Sequence, residues 1–276
     1  MDFKYFSRNG TVLPIAEAAV PLSNIEFQYG FGVYESIRLG NGIVYFVADH
    51  LERLMESAAT IGLAHPYSAP FVETAIAELV QKNGATTCNI KVLLVGGRTP
   101  EDASLFILCL NPLFPDKKLY TEGATLTTYE YERAFPHAKT LNMLESYLAY
   151  KKALEAGAYD ALLIDRKGRI TEGTRTNFFC TRDTTLVGPH ERDILLGVAR
   201  KGVLKVAEEA GFTVVQKDTR PGELAHFDGA FVTSTSAKLM PVRSIDAHVF
   251  GAPTPAQARL MAAFDGFLSE CKGKMD

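Results

Sequence analysis

Two side chains in one stretch of this chain have the chemistry for covalent work. The stretch runs from Lys139 to Asn177 and reads KTLNMLESYLAYKKALEAGAYDALLIDRKGRITEGTRTN. Lys139 stands just before a run of helical character, where its amine can be held partly desolvated, as imine formation with a carbonyl compound requires. Glu172 comes about thirty residues later, at the turn after a strand, where a carboxylate can pair with a cationic heterocycle. Taken singly, a lysine at a helix start is most often solvated and a turn acid most often exposed. Their joint occurrence in this order singles them out.

Three further groups have the chemistry to hold an anion. The run ILLGVARKGVL puts Gly197 directly before a helix whose first amides belong to Val198 and Ala199, and free N–H groups at a helix start favour negative charge. The hydroxyl cluster from Thr233 to Ser236, TSTS, ends a strand, and Arg53 offers a planar fork from a helix face otherwise used for packing. No GxGxxG follows a strand and no GxxxxGK[ST] is present, so neither a dinucleotide fold nor a P-loop is supported.

The composition bounds what these groups serve. The chain has 276 residues, enough for one large domain or two ordinary ones, with 47% apolar and 22% charged residues as in folded globular proteins. A formal net charge of −3 with no long basic run leaves no electrostatic footprint for nucleic acid. MDFKYFSRNG carries charges where a signal peptide needs an apolar core, and no stretch approaches a membrane span, so the expectation is a cytoplasmic protein without a membrane partner. The cysteines, Cys88, Cys109, Cys180 and Cys271, are scattered and read as buried thiols in a reducing compartment; no metal is called for.

The elements that must position these residues can be read from pattern. Residues 1–113 form a smaller α/β domain. It opens with a hairpin over Asn9-Gly10, and a second hairpin crosses Gly40-Asn41-Gly42. DHLERLMESAATIGL is a helix with Asp49 as expected N-cap and Glu52 completing a capping box; Leu51, Leu54, Met55 and Ala58 keep helical spacing. A second helix at about 69–83 and the strands NIKVLLVGG and ASLFILCL follow. Residues 114–122, flanked by prolines, are the expected linker, and 123–276 a larger domain carrying Lys139. There the spacing predicts a strand ATLTTYEY, a helix over 142–156 closed by Gly157, a strand pair over Arg166-Lys167-Gly168, and a short strand NFFC. A helix from Gly197 to Gly211, the strands FTVVQKD and GAFVTSTS, and an amphipathic helix over 254–270 complete the set. The fold class is α/β (α+β): two domains with mixed, largely antiparallel sheets and a cleft between them.

From FQYGFGVYESIR to SAKLMPVRSID, nearly its whole length, the chain resembles the fold-type IV pyridoxal-phosphate enzymes, or class IV aminotransferases. This family comprises branched-chain amino-acid aminotransferases, D-amino-acid transaminases, aminodeoxychorismate lyases and R-selective amine transaminases. The segments DHLERL, KTLNML with LAYKKALEAG, ITEGTRTNFF, LLGVAR and VTSTSAKLMPV carry the resemblance. It implies an active site in the interdomain cleft with pyridoxal 5'-phosphate as cofactor. Lys139 matches the lysine that forms the imine with the cofactor, and Glu172 the acid that pairs with its pyridine nitrogen. Arg53 matches the arginine on the phosphate, Val198 and Ala199 the pair whose amides hold it, and Thr235, beside Ser234, its hydroxyl contact. Leu196 matches the residue packed on the ring. At Ala199 the family more often has threonine, so a hydroxyl contact is lost.

For the substrate, Tyr34-Glu35-Ser36-Ile37-Arg38 resembles the FEGIR segment of branched-chain enzymes and, less closely, the YEV segment of D-amino-acid enzymes. MPVRSID resembles the branched-chain ending, whereas KTLNML looks more like the D-amino-acid and lyase branches. The arginine-x-histidine pair of typical D-amino-acid transaminases is not visible in GGRTPEDAS. An α-carboxylate needs a cation, for which Arg38, Arg98, Arg175 and Lys238 are candidates, Arg38 and Arg175 first. The resemblance thus implies a ping-pong aminotransferase acting on an amino acid, branched-chain L-amino acids leading, and a 2-oxo acid such as 2-oxoglutarate. D-amino-acid transaminase, aminodeoxychorismate lyase and a catalytically silent cofactor-binding relative are the alternatives. The family pattern also implies a homodimer.

Overall fold

The computed structural model describes residues 3–112 and 114–270; Cys271 lies outside them. The chain forms two compact units. The first comprises described residues of Met1–Leu113 together with the excursion His137–Asn142, and the second is built from Phe114–Pro136 and Met143–Cys271.

In the first unit the strands are β1 (Tyr5–Arg8), β2 (Thr11–Pro14), β3 (Gly32–Gly40), β4 (Ile43–Val44), β5 (Cys88–Val95) and β6 (Ser104–Leu110). They form an antiparallel sheet of order β2-β1-β6-β5-β3-β4. Both expected hairpin turns hold: Asn9 and Gly10, then Asn41 and Gly42, all take positive φ, as a two-residue turn between twisted strands requires. After a single-turn helix α1 (Ile25–Gln28) come α2 (Val47–Thr60) and α3 (Ala69–Asn83). Leu51, Leu54 and Ala58 of α2 and Val72, Ile76 and Leu79 of α3 share one core with Val33, Ile37 and Leu39 of β3. Asp49 does not cap α2. The helix starts after Phe46, which takes a left-handed φ of 55°, and Asp49 falls inside the first turn, where its charge still complements the helix dipole.

The second unit opens with α4 (Lys118–Glu122), a short helix inside the stretch expected as linker. Its strands are β7 (Ala124–Glu130), β8 (Asp160–Ile164), β9 (Ile170–Gly173), β10 (Asn177–Arg182), β11 (Thr185–Gly188), β12 (Thr213–Gln216), β13 (Gly229–Ser234), β14 (Lys238–Ile245) and β15 (His248–Val249). The helices are α5 (Leu144–Glu155), α6 (Val198–Glu209) and α7 (Pro255–Glu270). The sheet is mixed, with β11–β12, β14–β7 and β7–β8 parallel. Its path β10-β13-β14-β7-β8-β9 returns to β10 through the pair Glu172↔Asn177, closing a ring of strands at the acid singled out above. Gly157 and Gly211 take φ of 71° and 79° just past α5 and α6, as expected of glycines that end helices.

One expectation is corrected. Lys139 was placed in the second domain, but His137–Asn142 packs with the first unit. An antiparallel bridge Val33↔Thr140, with Tyr34 N–H donating to the Lys139 carbonyl and Leu141 N–H to that of Gly32, adds this segment to the edge of β3. Backbone pairing outweighs sequence proximity to α5. Cys88, Cys109 and Cys180 are buried free thiols. No helix among the described residues is long and apolar enough to cross a membrane, and none of their His, Cys, Asp and Glu side chains cluster as a metal site.

Candidate active site

The candidate residues fall into two groups, one in each unit. In the first, strand alternation sorts β3 into two faces. Val33, Glu35, Ile37 and Leu39 are all buried. Glu35 is thus a carboxylate in an apolar layer, where an unpaired charge would be costly. Helix α2 supplies its partners. Arg53 clasps Glu35 with Nε on Oε1 at 2.7 Å and Nη2 on Oε2 at 2.8 Å, and His50 Nδ1 lies 2.7 Å from Oε2. His50 and Arg53 are three residues apart and share a helix face. Burial alone pushes the Glu35 carboxyl up, but the Arg53 charge and the hydrogen bonds from His50 and Arg53 outweigh it and hold the group at about 2. Burial lowers His50 below its usual value against the pull of Glu35, so the imidazole is neutral and donates from Nδ1. Its Nε2 is buried without a hydrogen-bond partner.

The opposite face of β3 carries Tyr34 and Arg38. Lys139 sits beside Tyr34 in the edge pairing, with its Nζ 4.7 Å from the ring centroid, and its backbone N–H donates to Ser57 Oγ at 3.1 Å. A second lysine shares the ring: Lys91 of β5, opposite Ser36, holds its Nζ 3.5 Å from the same centroid. Burial, with the nearby Lys139 charge, lowers Lys91 to about 8 although Tyr34 and Glu35 pull the other way. Arg38 lays its guanidinium 5.7 Å from the Tyr45 ring centroid, whereas Arg98 is exposed in the loop after β5.

The second group is built around Glu172, which is buried. Arg133 Nη1 donates to Oε1 at 3.1 Å, and the Leu195 N–H lies 3.2 Å from both carboxylate oxygens. Asn177 donates Nδ2 to the Leu195 carbonyl at 2.7 Å and stands 3.5 Å from Glu172 Oε2. The turn joining Glu172 to Asn177 is pinned from below by Asp160, fully buried. Thr174 and Thr176 hydroxyls donate to its two oxygens at 2.5 and 2.9 Å, and the Ala161 N–H donates at 2.9 Å. Gly173 is required at this turn, because a Cβ there would stand 2.6 Å from Asp160 Oδ2.

The start of α6 is brought to the same place. Gly197, its N-cap, provides no side-chain cap, and a Cβ on it would collide with Asn177 Oδ1. Val198 and Ala199 open the helix and are buried; Leu196 is 41% exposed. Asn177 pairs with Thr233 across β10–β13, and the Thr233 hydroxyl is buried without a hydrogen-bond partner. Ser234 ends β13 and accepts the Ala237 N–H at 3.0 Å, and Thr235 follows in the turn. Glu172, the α6 start and the TSTS cluster therefore lie around Asn177. Arg175 is exposed at the tip of its turn, with its guanidinium 4.2 and 5.0 Å from the Tyr150 and Tyr159 ring centroids and Nη2 donating to the Tyr159 carbonyl at 3.3 Å. Lys238 is ion-paired to Asp265 of α7 at 2.7 Å.

Sequence reading passed over Glu35, His50, Lys91, Arg133 and Asn177. The first two carried a signal: an acid inside an apolar strand must have a partner, and His50 lies one turn from Arg53. Arg133, in YERAFPHA, carried none.

The sequence model of the family "Amino-transferase class IV" matches residues 32–245. The chain is 33% identical over 274 residues to a D-alanine aminotransferase of Bacillus licheniformis, covering 95% of this chain and 96% of that protein. It is 29% identical over 255 residues to a Rickettsia typhi protein named "Probable branched-chain-amino-acid aminotransferase", 88% of each being covered. Its fold superposes on the branched-chain amino acid aminotransferase of Thermobaculum terrenum, solved in its PLP-form, with a TM-score of 0.85 at 25% identity, over 97% of this chain and 94% of that one. The chain belongs to the class IV aminotransferases, the fold-type IV pyridoxal-phosphate enzymes.

Proposed function

We propose that this protein is a pyridoxal-phosphate-dependent aminotransferase that moves an amino group from an amino acid, branched-chain L-amino acids leading, to a 2-oxo acid such as 2-oxoglutarate. The observation that carries this reading is the charge gathered along β3: Lys139 and Lys91 hold their Nζ atoms 4.7 and 3.5 Å from the Tyr34 ring centroid, and on the strand's other face Arg53 clasps Glu35 beside a neutral His50. Such a surplus of positive charge suits an anionic ligand, and it sits next to an amine able to form an imine. The second unit, taken by itself, also carries donors for an anion. The uncapped start of α6 and the unpartnered Thr233 hydroxyl are donors that a phosphate satisfies.

Pyridoxal phosphate, when bound, supplies an electron sink for the carbanion left by removal of the α-proton. Lys139 Nζ holds the cofactor aldehyde carbon at rest and, once released, accepts the α-proton and returns it. Glu172, met by donors from Arg133 and Leu195, pairs with the pyridine nitrogen and keeps it protonated. Arg53, the amides of Val198 and Ala199, and the hydroxyls of Ser234 and Thr235 hold the phosphate, and Leu196 packs on the ring. Tyr34 and Arg38 share a strand face with Lys139. That makes Arg38 a better cation for the substrate carboxylate than Arg175, whose guanidinium is taken up by two tyrosines, or Arg98. The working form is a homodimer in the cytoplasm; Leu22 and Tyr29, 92% and 80% exposed, are apolar surface for a partner copy to cover.

A second reading, D-amino-acid transamination, is supported by the D-alanine aminotransferase relative. The test is the visible spectrum of the protein with pyridoxal phosphate, before and after adding L-leucine or D-alanine separately. Bleaching by L-leucine alone is the expected result, and bleaching by D-alanine alone moves the function to the second reading. Lys139→Ala is expected to give no lysine-bound band and no turnover. Near wild-type turnover in that variant would sink the proposal.

A further inference from the structure

Arginines drawn away from solvent in this protein are matched by carboxylates: Arg53 by Glu35, Arg133 by Glu172, Arg169 by Asp165 and Arg200 by Glu191. Lys91 of β5 is placed otherwise. It is half-buried, and among the described residues its ammonium has the Tyr34 ring beside it but no hydrogen bond and no ion pair. The sheet register gives the reason. Ser36 of β3 and Leu108 of β6 stand opposite Lys91. Glu35, the one acid in β3, β5 or β6, belongs to the other face, where Arg53 and His50 take it up. Strand alternation therefore puts Lys91 and Arg38 on a face without a carboxylate. Burial, with the nearby Lys139 charge, lowers Lys91 only to about 8, so at neutral pH it is mostly an ammonium with donors to satisfy.

We propose that Lys91 is the cation that takes the α-carboxylate of the amino-acid and 2-oxo-acid substrates, at the Tyr34 ring it shares with Lys139. The two Nζ atoms stand 3.5 and 4.7 Å from that ring centroid, so they are at most about 8 Å apart. The amino nitrogen of a substrate must come to the place that Lys139 Nζ holds. An α-carboxylate oxygen lies about 3 Å from its own amino nitrogen, and a charge-assisted hydrogen bond adds about 2.8 Å. A cation about 6 Å from that nitrogen reaches the carboxylate, a distance inside the limit set by the shared ring. Arg38 stands four residues beyond Tyr34, about 13 Å along the strand, and its guanidinium lies 5.7 Å from the Tyr45 ring centroid instead. The carboxylate that the sheet withholds from Lys91 is thus the one a substrate brings.

This inference rests on Lys139 being the cofactor lysine, and the experiment separates the two. Propionate and 4-methylpentanoate are the alanine and leucine skeletons without the amino group. Each is titrated by calorimetry at pH 7 into the full-length protein loaded with pyridoxal phosphate, beside its neutral amide. The wild type is expected to prefer the carboxylate by about tenfold or more. Lys91→Met keeps the aliphatic stem and removes the charge. It is expected to weaken both carboxylates about tenfold and to leave the amides within about twofold, a split that a merely structural role would not produce. Lys91→Arg and Arg38→Met are both expected to keep the preference. If Lys91→Met does not fold, Lys91→Gln takes its place. A preference kept in the uncharged variant, absent from the wild type, or lost in Arg38→Met alone overturns the proposal. Absence of any lysine-bound visible band in the wild type overturns the functional reading instead, while the paired titrations still report on Lys91.

Discussion

Replacing Glu35 by glutamine tests the buried ion pair between β3 and α2. The carboxylate is held at about 2, against 4.5 for an ordinary glutamate. At about 1.4 kcal/mol per unit, that difference stabilises the folded state by roughly 3 kcal/mol at neutral pH. The sign follows from the direction. A depressed folded value means the unfolded chain takes up its proton first, so the stabilisation is full above pH 4.5 and is lost as pH falls from 4.5 towards 2. His50 adds to the same trend, because its lowered folded value makes the unfolded state bind protons first as pH drops below 6.5. Glu35→Gln leaves the Arg53 guanidinium, only 9% exposed, without its carboxylate. Stranding a buried charge typically costs about 3–5 kcal/mol. Urea unfolding read by hydrogen-exchange mass spectrometry on peptides of β3 and α2 reports this unit alone. The expected result is a deficit of about 3 kcal/mol at pH 7 that shrinks by more than half at pH 3, as the wild type loses its own advantage. A deficit under about 1 kcal/mol at pH 7, or one equally large at pH 3, would refute the claim that this ion pair is held for stability.

Two further substitutions probe the second unit. Asp160→Ala strands the hydroxyls of Thr174 and Thr176 and the Ala161 N–H; a loss of about 2–4 kcal/mol in urea unfolding of that unit is expected. Asp160→Asn, which keeps the shape and one acceptor oxygen, should lose clearly less, and equal losses would mean that shape with a single acceptor gives the turn no support. In Gly197→Ala the new methyl collides with Asn177 Oδ1. Inorganic phosphate and pyridoxal phosphate titrations are expected to weaken at least tenfold, a difference of about 1.4 kcal/mol. Wild-type affinity in that variant would remove the α6 start from the anion site.

What the sequence disclosed was local. Helical spacing located α6 and α7 within a residue or two and α2 within about three, and dipeptides such as Asn9-Gly10 fixed the hairpin turns, because both signals come from neighbours along the chain. Lys139, Glu172, Arg53 and the α6 start were legible as residue types beside recognisable elements. Their partners were not, since Glu35 meets Arg53 across a strand–helix contact and Arg133 meets Glu172 from 39 residues away. Asp49 was misread as a cap because the left-handed turn belongs to Phe46, an aromatic residue in a conformation usually left to glycine or asparagine. Strand β14 was obscured by Pro241, which removes a ladder donor. Lys139 was assigned to the wrong unit because a single bridge to β3 has no signature in its own segment.

The two groups share one electrostatic construction. The cation expected at the phosphate, Arg53, is already clasped by a buried carboxylate, and the acid expected at the pyridine nitrogen, Glu172, is already met by a guanidinium and a backbone amide. A buried arginine or glutamate with no opposite charge would shift its protonation, move towards water or unfold its surroundings before any ligand arrived. Pairing each within its own unit compensates both charges and fixes their orientation in the free protein, so a ligand meets groups that need little reorganisation. The construction lowers the net charge each group offers. Lys91 and Lys139 are placed differently, two amines on the one Tyr34 ring. Glu35 and Asp160 are the buried partners that fix Arg53 and the Glu172 turn in place, so removing either should act first on folding.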